Sequence, residues 1–209
     1  MTGIVIAAGL AGGFALWGLV EYLLHRFAMH QLRGRGLMSR EHLEHHVRAS
    51  WRWAPIFLAS WSGMLLVGFA AWLPLGWVAV GTWFGLALAL GWTAGYAFYE
   101  YEHAVSHLRA PGGRYGTWLR HHHFHHHFGH PMKNHGVTSP LWDHVFRTYE
   151  QPALVRVPRR LAMTWLVDGD GELLDRYQDR YVLVGSAVSD GRLAALDRAR
   201  AFASVAPTD

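Results

Sequence analysis

Leu119-Arg120-His121-His122-His123-Phe124-His125-His126-His127-Phe128 carries six histidines in ten residues and lies inside the chain, so it is not a terminal tag. A neutral imidazole is a good ligand for iron, zinc or copper. On a helix, positions i, i+3 and i+4 share one face, so His-x-x-His-His is expected to aim three imidazoles at one point. The tract offers that spacing in two registers: His122, His125 and His126, or His123, His126 and His127. The two faces differ by about 100° of helical rotation, and the tract alone does not choose between them.

The remaining histidines say what the tract is for. His42, His45 and His46 repeat the same spacing in a single register. His103 and His107 are four apart, one above the other on a helix. His25 and His30 are five apart, which an α-helix does not place on one face, so this pair calls for a bend or an approach from two sides. The four groups supply ten imidazoles, roughly the number that two six-coordinate metals would take with room left for water or oxygen. Scattered surface histidine is the plainer reading, and the repeated spacing argues against it.

Composition narrows the setting. The chain has 209 residues, 51% of them apolar and only 16% charged, with eleven tryptophans. The charged share is low for a soluble protein. There is no cysteine, which excludes disulfides and thiolate metal sites. The formal charge is +4, but the basic residues do not interleave with aromatics in a stripe, so no nucleic-acid partner is expected.

The expected fold is an all-α integral membrane protein with about three transmembrane helices. Spans are expected near 4–24, 54–73 and 77–99, with a break at Pro74-Leu75-Gly76. The first lacks the features of a cleaved signal peptide and runs straight into Glu21, Tyr22, His25 and His30. Spans two and three form a hairpin, which explains the long separation of His46 from His103. All eighteen arginines and the single lysine lie in Arg26–Arg52 or from Arg109 onward. By the positive-inside rule the histidine groups then face the cytoplasm, at the inner cell membrane if the source is bacterial. Residues 1–150 are read as a membrane-embedded metal domain and 151–209 as a short soluble cytoplasmic tail. In the tail, Asp168-Gly-Asp-Gly171 reads as a hairpin-like turn and Arg192–Phe202 as an amphipathic helix.

The boxes His25-x4-His30, His42-x2-His45-His46, His103-x3-His107 and a final His-x2-His-His, split by a membrane hairpin, resemble the fatty acid hydroxylase and sterol desaturase superfamily of histidine-box membrane oxygenases. Glu21-Tyr-Leu-Leu-His-Arg-Phe to His30 looks like the fatty acid 2-hydroxylase version of the first box, and Leu119–Asp143 like its last. The resemblance covers about residues 15–150. It implies the register: an aromatic residue follows the last histidine and Leu-Trp-Asp lies beyond, as Phe128 and Leu141-Trp142-Asp143 do when His123, His126 and His127 are the ligands. The implied metal ligands are His25, His30, His42, His45, His46, His103, His107, His123, His126 and His127. His121, His122 and His125 are then extra, and His130, His135 and His144 match no box. Glu21 and Asp143 are the preferred outer carboxylates, expected to orient imidazoles by accepting their second N–H.

The function this implies is O2-dependent hydroxylation of a fatty acyl or related lipid chain by two iron ions. Oxidising an unactivated C–H bond needs a redox metal; zinc fits the same ligands but only as a substitute, since it does not cycle. Lipid, sterol or carotenoid desaturation or hydroxylation is the alternative within the superfamily. A non-catalytic metal-binding membrane protein is the alternative outside it. Relatives often carry a further membrane helix ahead of the first box, and a second copy of this chain in a homo-oligomer is one source of that packing. The cytochrome b5 domain fused to some eukaryotic relatives is missing, so electrons are expected from a separate ferredoxin or cytochrome b5.

Overall fold

A computed structural model describes residues 1–209. The chain is mostly helical and divides into two compact units, Met1–Glu21 with Arg52–Tyr101, and Tyr22–Trp51 with Glu102–Asp209. Its helices are α1 (Thr2–Leu23), α2 (Leu37–Arg48), α3 (Ile56–Val67), α4 (Leu73–Ala79), α5 (Thr82–Leu108), α6 (Gly113–Phe124), α7 (Leu141–Val145) and α8 (Gly191–Phe202). Three stretches have wider, π-helical turns: Leu24–Gln31 after α1, Gly68–Trp72 between α3 and α4, and His125–Gly129 after α6. Two of these three carry histidines of the boxes.

In the first unit, α1 is apolar throughout, with no proline to interrupt it. Its backbone lies against α5 through glycines. A Cβ on Gly13 would meet the Leu88 carbonyl and the Trp92 amide, and one on Gly91 would meet the Leu10 carbonyl. Aromatic rings fill the remaining space. Trp17 packs edge-on against Trp92 at 5.2 Å and Tyr96 at 4.9 Å. The Trp92 indole N–H donates to the Met64 carbonyl at 2.9 Å.

Thr2–Gln31 and Ile56–Ala79 are long and apolar enough to cross a bilayer. Only 17% and 6% of their most apolar windows are buried within the protein. A core helix of a soluble domain would be mostly covered, so these faces are suited to lipid. α5 carries tryptophan, tyrosine, threonine and glycine through its length and does not meet the same test. The expected break at Pro74–Gly76 is corrected. The helix continues through it to Ala79, and the turn falls at Val80-Gly81, where Gly81 has φ +135°. The π-helical turn at Gly68–Trp72 makes Pro74 a first-turn residue of α4, where a missing N–H costs nothing.

In the second unit, the residues after Glu150 add a short parallel pair, β1 (Val155–Pro158) and β2 (Tyr181–Val184), with Val155 opposite Tyr181. The all-α expectation is corrected to this extent. Val155, Val157, Met163, Trp165, Leu166, Tyr177 and Tyr181 form one core with Phe124 and Phe128 of the histidine tract. Asp168–Gly171 does turn the chain, with Val167 and Leu173 bridged antiparallel. α8 begins at Asp190, whose carboxylate accepts from the Leu193 amide at 2.7 Å.

Because the α1–α5 contact is backbone on backbone, Gly13→Leu should destabilise the first unit by ~1–3 kcal/mol, the usual cost of overpacking. A thermal melt of the detergent-purified variant checks this; an unchanged midpoint would contradict the close helix contact.

Candidate metal centre

Sixteen histidines are present, and ten of them converge. His25, His30, His42, His46 and His126 form one set of five ligand nitrogens, and His45, His103, His107, His123 and His127 a second. Within each set all five nitrogens lie within 4.8 Å of one another. The ten are those implied by the family register. His46 and His127 stack face to face at 4.1 Å, so the two sets are neighbours.

Local helix geometry explains the convergence. The π-helical turns over Leu24–Gln31 place residues five apart in line, which brings His25 and His30 to a ring separation of 5.2 Å. This is the bend that their spacing called for. Neither His-x-x-His-His box aims at one point, and that expectation is corrected. His42 and His46 enter the first set and His45 the second; His123 and His127 enter the second set and His126 the first. Residues i and i+4 stack on one side of a helix, while i+3 lies round toward the other. Each box therefore straddles the two sets, and the boxes do so in opposite senses.

The sets have the same shape. In the first, Nε2 of His42 lies 3.1 Å from those of His25 and His46, and His46 and His126 are 3.2 Å apart. The His126 and His25 rings close this square at 4.5 Å. His30 contacts all four rings, at 4.7–5.2 Å. In the second, His45, His103, His123 and His127 form the square and His107 touches all four. In each set four rings close a square and the fifth, His30 or His107, touches all four. Imidazole nitrogens ~2.1 Å from one ion and at right angles would be about 3.0 Å apart, so the spacing fits metal coordination.

Proton placement supports that fit. The Nδ1 atoms of His25, His126, His45 and His107 face the backbone carbonyls of His135, Lys133, Ser50 and Ala49. A carbonyl only accepts, so each Nδ1 carries the proton and each Nε2 points a bare lone pair into its set. Such lone pairs crowded at 3 Å repel unless a cation lies between them. Burial, reinforced by the neighbouring imidazoles, pushes the pKa of His30, His42, His46, His103, His123 and His127 well below the ordinary 6.5. Burial takes His25 and His45 down to about 4. Neutral imidazole is the form that ligates metal.

The other candidates lie outside the sets. His122 is sandwiched between Trp118 and Tyr149 and donates to the Gly136 carbonyl. His121 rests beside Tyr181, and His125 and His130 both face Glu150. His135 is fully buried, its ring about 5.5 Å from those of His25, His30 and His126, and its carbonyl holds His25. His144 is exposed against Tyr149. Glu21 is buried in the first unit. Asp143 is fully buried and accepts from the amides of His135 and Gly136 and the Thr148 hydroxyl, with His122 at 3.6 Å. Burial pushes its pKa up, but the bonds from His122, Thr148 and Gly136 outweigh that and leave it lowered. Asp143 thus ties down the loop whose carbonyls hold His25 and His126. At the four positions above, the imidazole's acceptor is a backbone carbonyl, which leaves no side-chain signal in the sequence. A further outer contact is Ser204, whose hydroxyl lies 3.2 Å from His30 Nδ1.

With this geometry in hand, comparison with known proteins is decisive. The fatty acid hydroxylase family model matches residues 10–148. The chain belongs to the fatty acid hydroxylase family. It is 31% identical over 154 residues to fatty acid 2-hydroxylase of Homo sapiens, covering 68% of this chain and 40% of that protein. It is 31% identical over 143 residues to dihydroceramide fatty acyl 2-hydroxylase FAH2 of Arabidopsis thaliana, covering 66% and 59%. The chain thus spans well under two thirds of the length of these relatives. A solved structure of full-length scs7p, with only its hydroxylase domain visible, shares the fold with a TM-score of 0.51 at 23% identity. That match covers 71% of this chain and 57% of the other.

A histidine with a folded pKa below its unfolded 6.5 binds its proton more readily in the unfolded chain, so stability is full above pH 6.5 and falls as pH drops. After metal removal by a chelator, the thermal midpoint should decline between pH 6.5 and about 4, the window set by His25 and His45. A midpoint flat across that range would contradict the neutral, buried imidazoles.

Proposed function

We propose that this chain is a membrane-spanning, di-iron, O2-dependent hydroxylase of a fatty acyl or related lipid chain. The observation that carries this reading is the pair of adjacent sets of five converging, buried imidazoles. The ten residues named in the two sets would hold the metals. Iron, when bound, supplies with O2 and electrons the oxidising power that no side chain offers against an unactivated C–H bond. Zinc would occupy the same nitrogens without redox chemistry. The protein's own part is positional. Backbone carbonyls fix the proton on the outer nitrogen of His25, His45, His107 and His126, and burial keeps the imidazoles neutral.

The rest of the reading follows from the sequence. Residues 1–150 form the hydroxylase domain and 151–209 a cytoplasmic tail. α5, which starts at Thr82 rather than at the Trp77 expected from the sequence, serves as a third crossing beside the two apolar helices. Every arginine lies in segments assigned to the cytoplasm. A separate ferredoxin or cytochrome b5 supplies electrons, and a homo-oligomer provides further helix packing. The named relatives act on fatty acids and dihydroceramide fatty acyl chains, which is the basis for choosing hydroxylation over desaturation here.

Two outcomes test this. Cells expressing the chain should gain a hydroxylated acyl species that is absent without it, and the purified chain should hold about two irons, one for each set. A single labile ion and an unchanged lipid profile would instead favour a non-catalytic metal-binding protein. His126→Ala removes one corner of a square and should abolish product and metal while leaving membrane insertion intact. His125→Ala faces Glu150 rather than either set, and should retain most activity. A dead H125A beside an active H126A would overturn the ligand assignment.

A further inference from the structure

α8 ends in a turn that glycine normally serves. The Val205 amide donates to the Arg200 carbonyl at 2.9 Å and the Ser204 amide to the Ala201 carbonyl at 2.8 Å, the pattern of a Schellman motif. Ser204 takes the left-handed position at φ +56°. A side chain there is strained relative to glycine. The hydroxyl has a use that glycine lacks. Its oxygen lies 3.2 Å from His30 Nδ1 and 3.3 Å from the His30 carbonyl, across 174 residues of chain. One proton arrangement satisfies both contacts: the hydroxyl donates to the carbonyl and accepts from Nδ1–H. The bare Nε2 of His30 is thereby turned into the first set.

The segment that delivers Ser204 is clamped in place. Arg160 and Asp197 form a buried pair at 2.6 Å. Asp197 also accepts from the amide and hydroxyl of Thr208, and Arg160 donates to the Thr208 carbonyl. Arg198 pairs with Glu44 of α2, and Gly34 lies against the Phe202 ring. Ala201, Val205 and Pro207 wall a narrow crevice that ends at His46 and His127, the stacked pair between the two sets. The segment itself, from Arg160 to Thr208, lies beyond residue 148, where the family match ends.

We propose that Ser204 is a positioning residue for the His30 imidazole, and that the C-terminal segment is an outer wall of the metal centre. This rests on the dinuclear reading above. Tying the His30 ring to its own backbone through a distant hydroxyl fixes the orientation of that ring in the first set.

The test uses the full chain in detergent, loaded with cobalt(II) or iron(II), and the variant Ser204→Gly. Glycine suits the left-handed turn, so the variant should fold with a thermal midpoint at least equal to wild type. One of the two ions should nonetheless leave about 10–100-fold faster under chelator competition. The cobalt absorption bands of that ion should shift while those of the other stay constant. Wild-type release rates and spectrum in the variant would overturn the proposal while leaving the dinuclear reading intact. Equal loosening of both ions with a lowered midpoint would show a general packing role and also overturn it. A wild-type chain that takes up no metal would overturn the dinuclear reading itself, and this inference with it.

Discussion

Bare nitrogen lone pairs do not crowd to 3 Å of one another without cause. Everything in the second unit serves to keep ten of them converging, neutral and dry. The requirement is severe because imidazole has an easy escape: it can take a proton and turn toward water. Burial removes the water, and acceptors behind the rings remove the rotational freedom. The large share of the unit's buried polar side chains that are histidine is the visible result.

The helices meet this requirement by a division of labour. A helix presents i and i+4 to one side and i+3 to the next, so a His-x-x-His-His box naturally serves two centres. The two boxes are used in opposite senses, His45 crossing one way and His126 the other. Each set then takes two imidazoles from one box, one from the other, and a pair from His25 with His30 or from His103 with His107. This two-fold logic in the sequence makes two like sets from unlike segments. The π-helical turns are where ordinary α-helical spacing would have failed, at His25–His30 and just after His125.

Much of this was legible from residue spacing. The histidines of the first three boxes and the apolar helices leave a periodic trace, whereas the register His123, His126 and His127 came from the family resemblance, since the tract itself offered two. The tail's helix and hairpin turn were legible too, through the amphipathic Arg192–Phe202 stretch and the Asp168–Gly171 run. What spacing did not reveal is whatever rests on backbone or on distant contacts. The wide turn that carries the helix past Pro74 has no residue signature. The splitting of each box depends on where a second helix stands. The carbonyls of Ala49, Ser50, Lys133 and His135 are invisible to any reading of side chains, and Ser204 lies 174 residues from the ring that it holds.

The choice of outer acceptor has an electrostatic consequence. A carboxylate behind an imidazole would raise its basicity and let protons compete with metal for the same nitrogen. A carbonyl orients the ring as firmly and adds no charge. Asp143, a buried carboxylate beside the first set, spends its oxygens on two amides and a hydroxyl and so stiffens the loop behind His25 and His126. Thr148 continues the chain of donors outward to Tyr22 and Arg26. The centre is thus built from neutral ligands held by neutral acceptors. Such a centre would draw a cation through converging lone pairs rather than through fixed charge. An arrangement of this kind depends on exact ring orientation more than a carboxylate site does, which is why a single hydroxyl behind His30 matters.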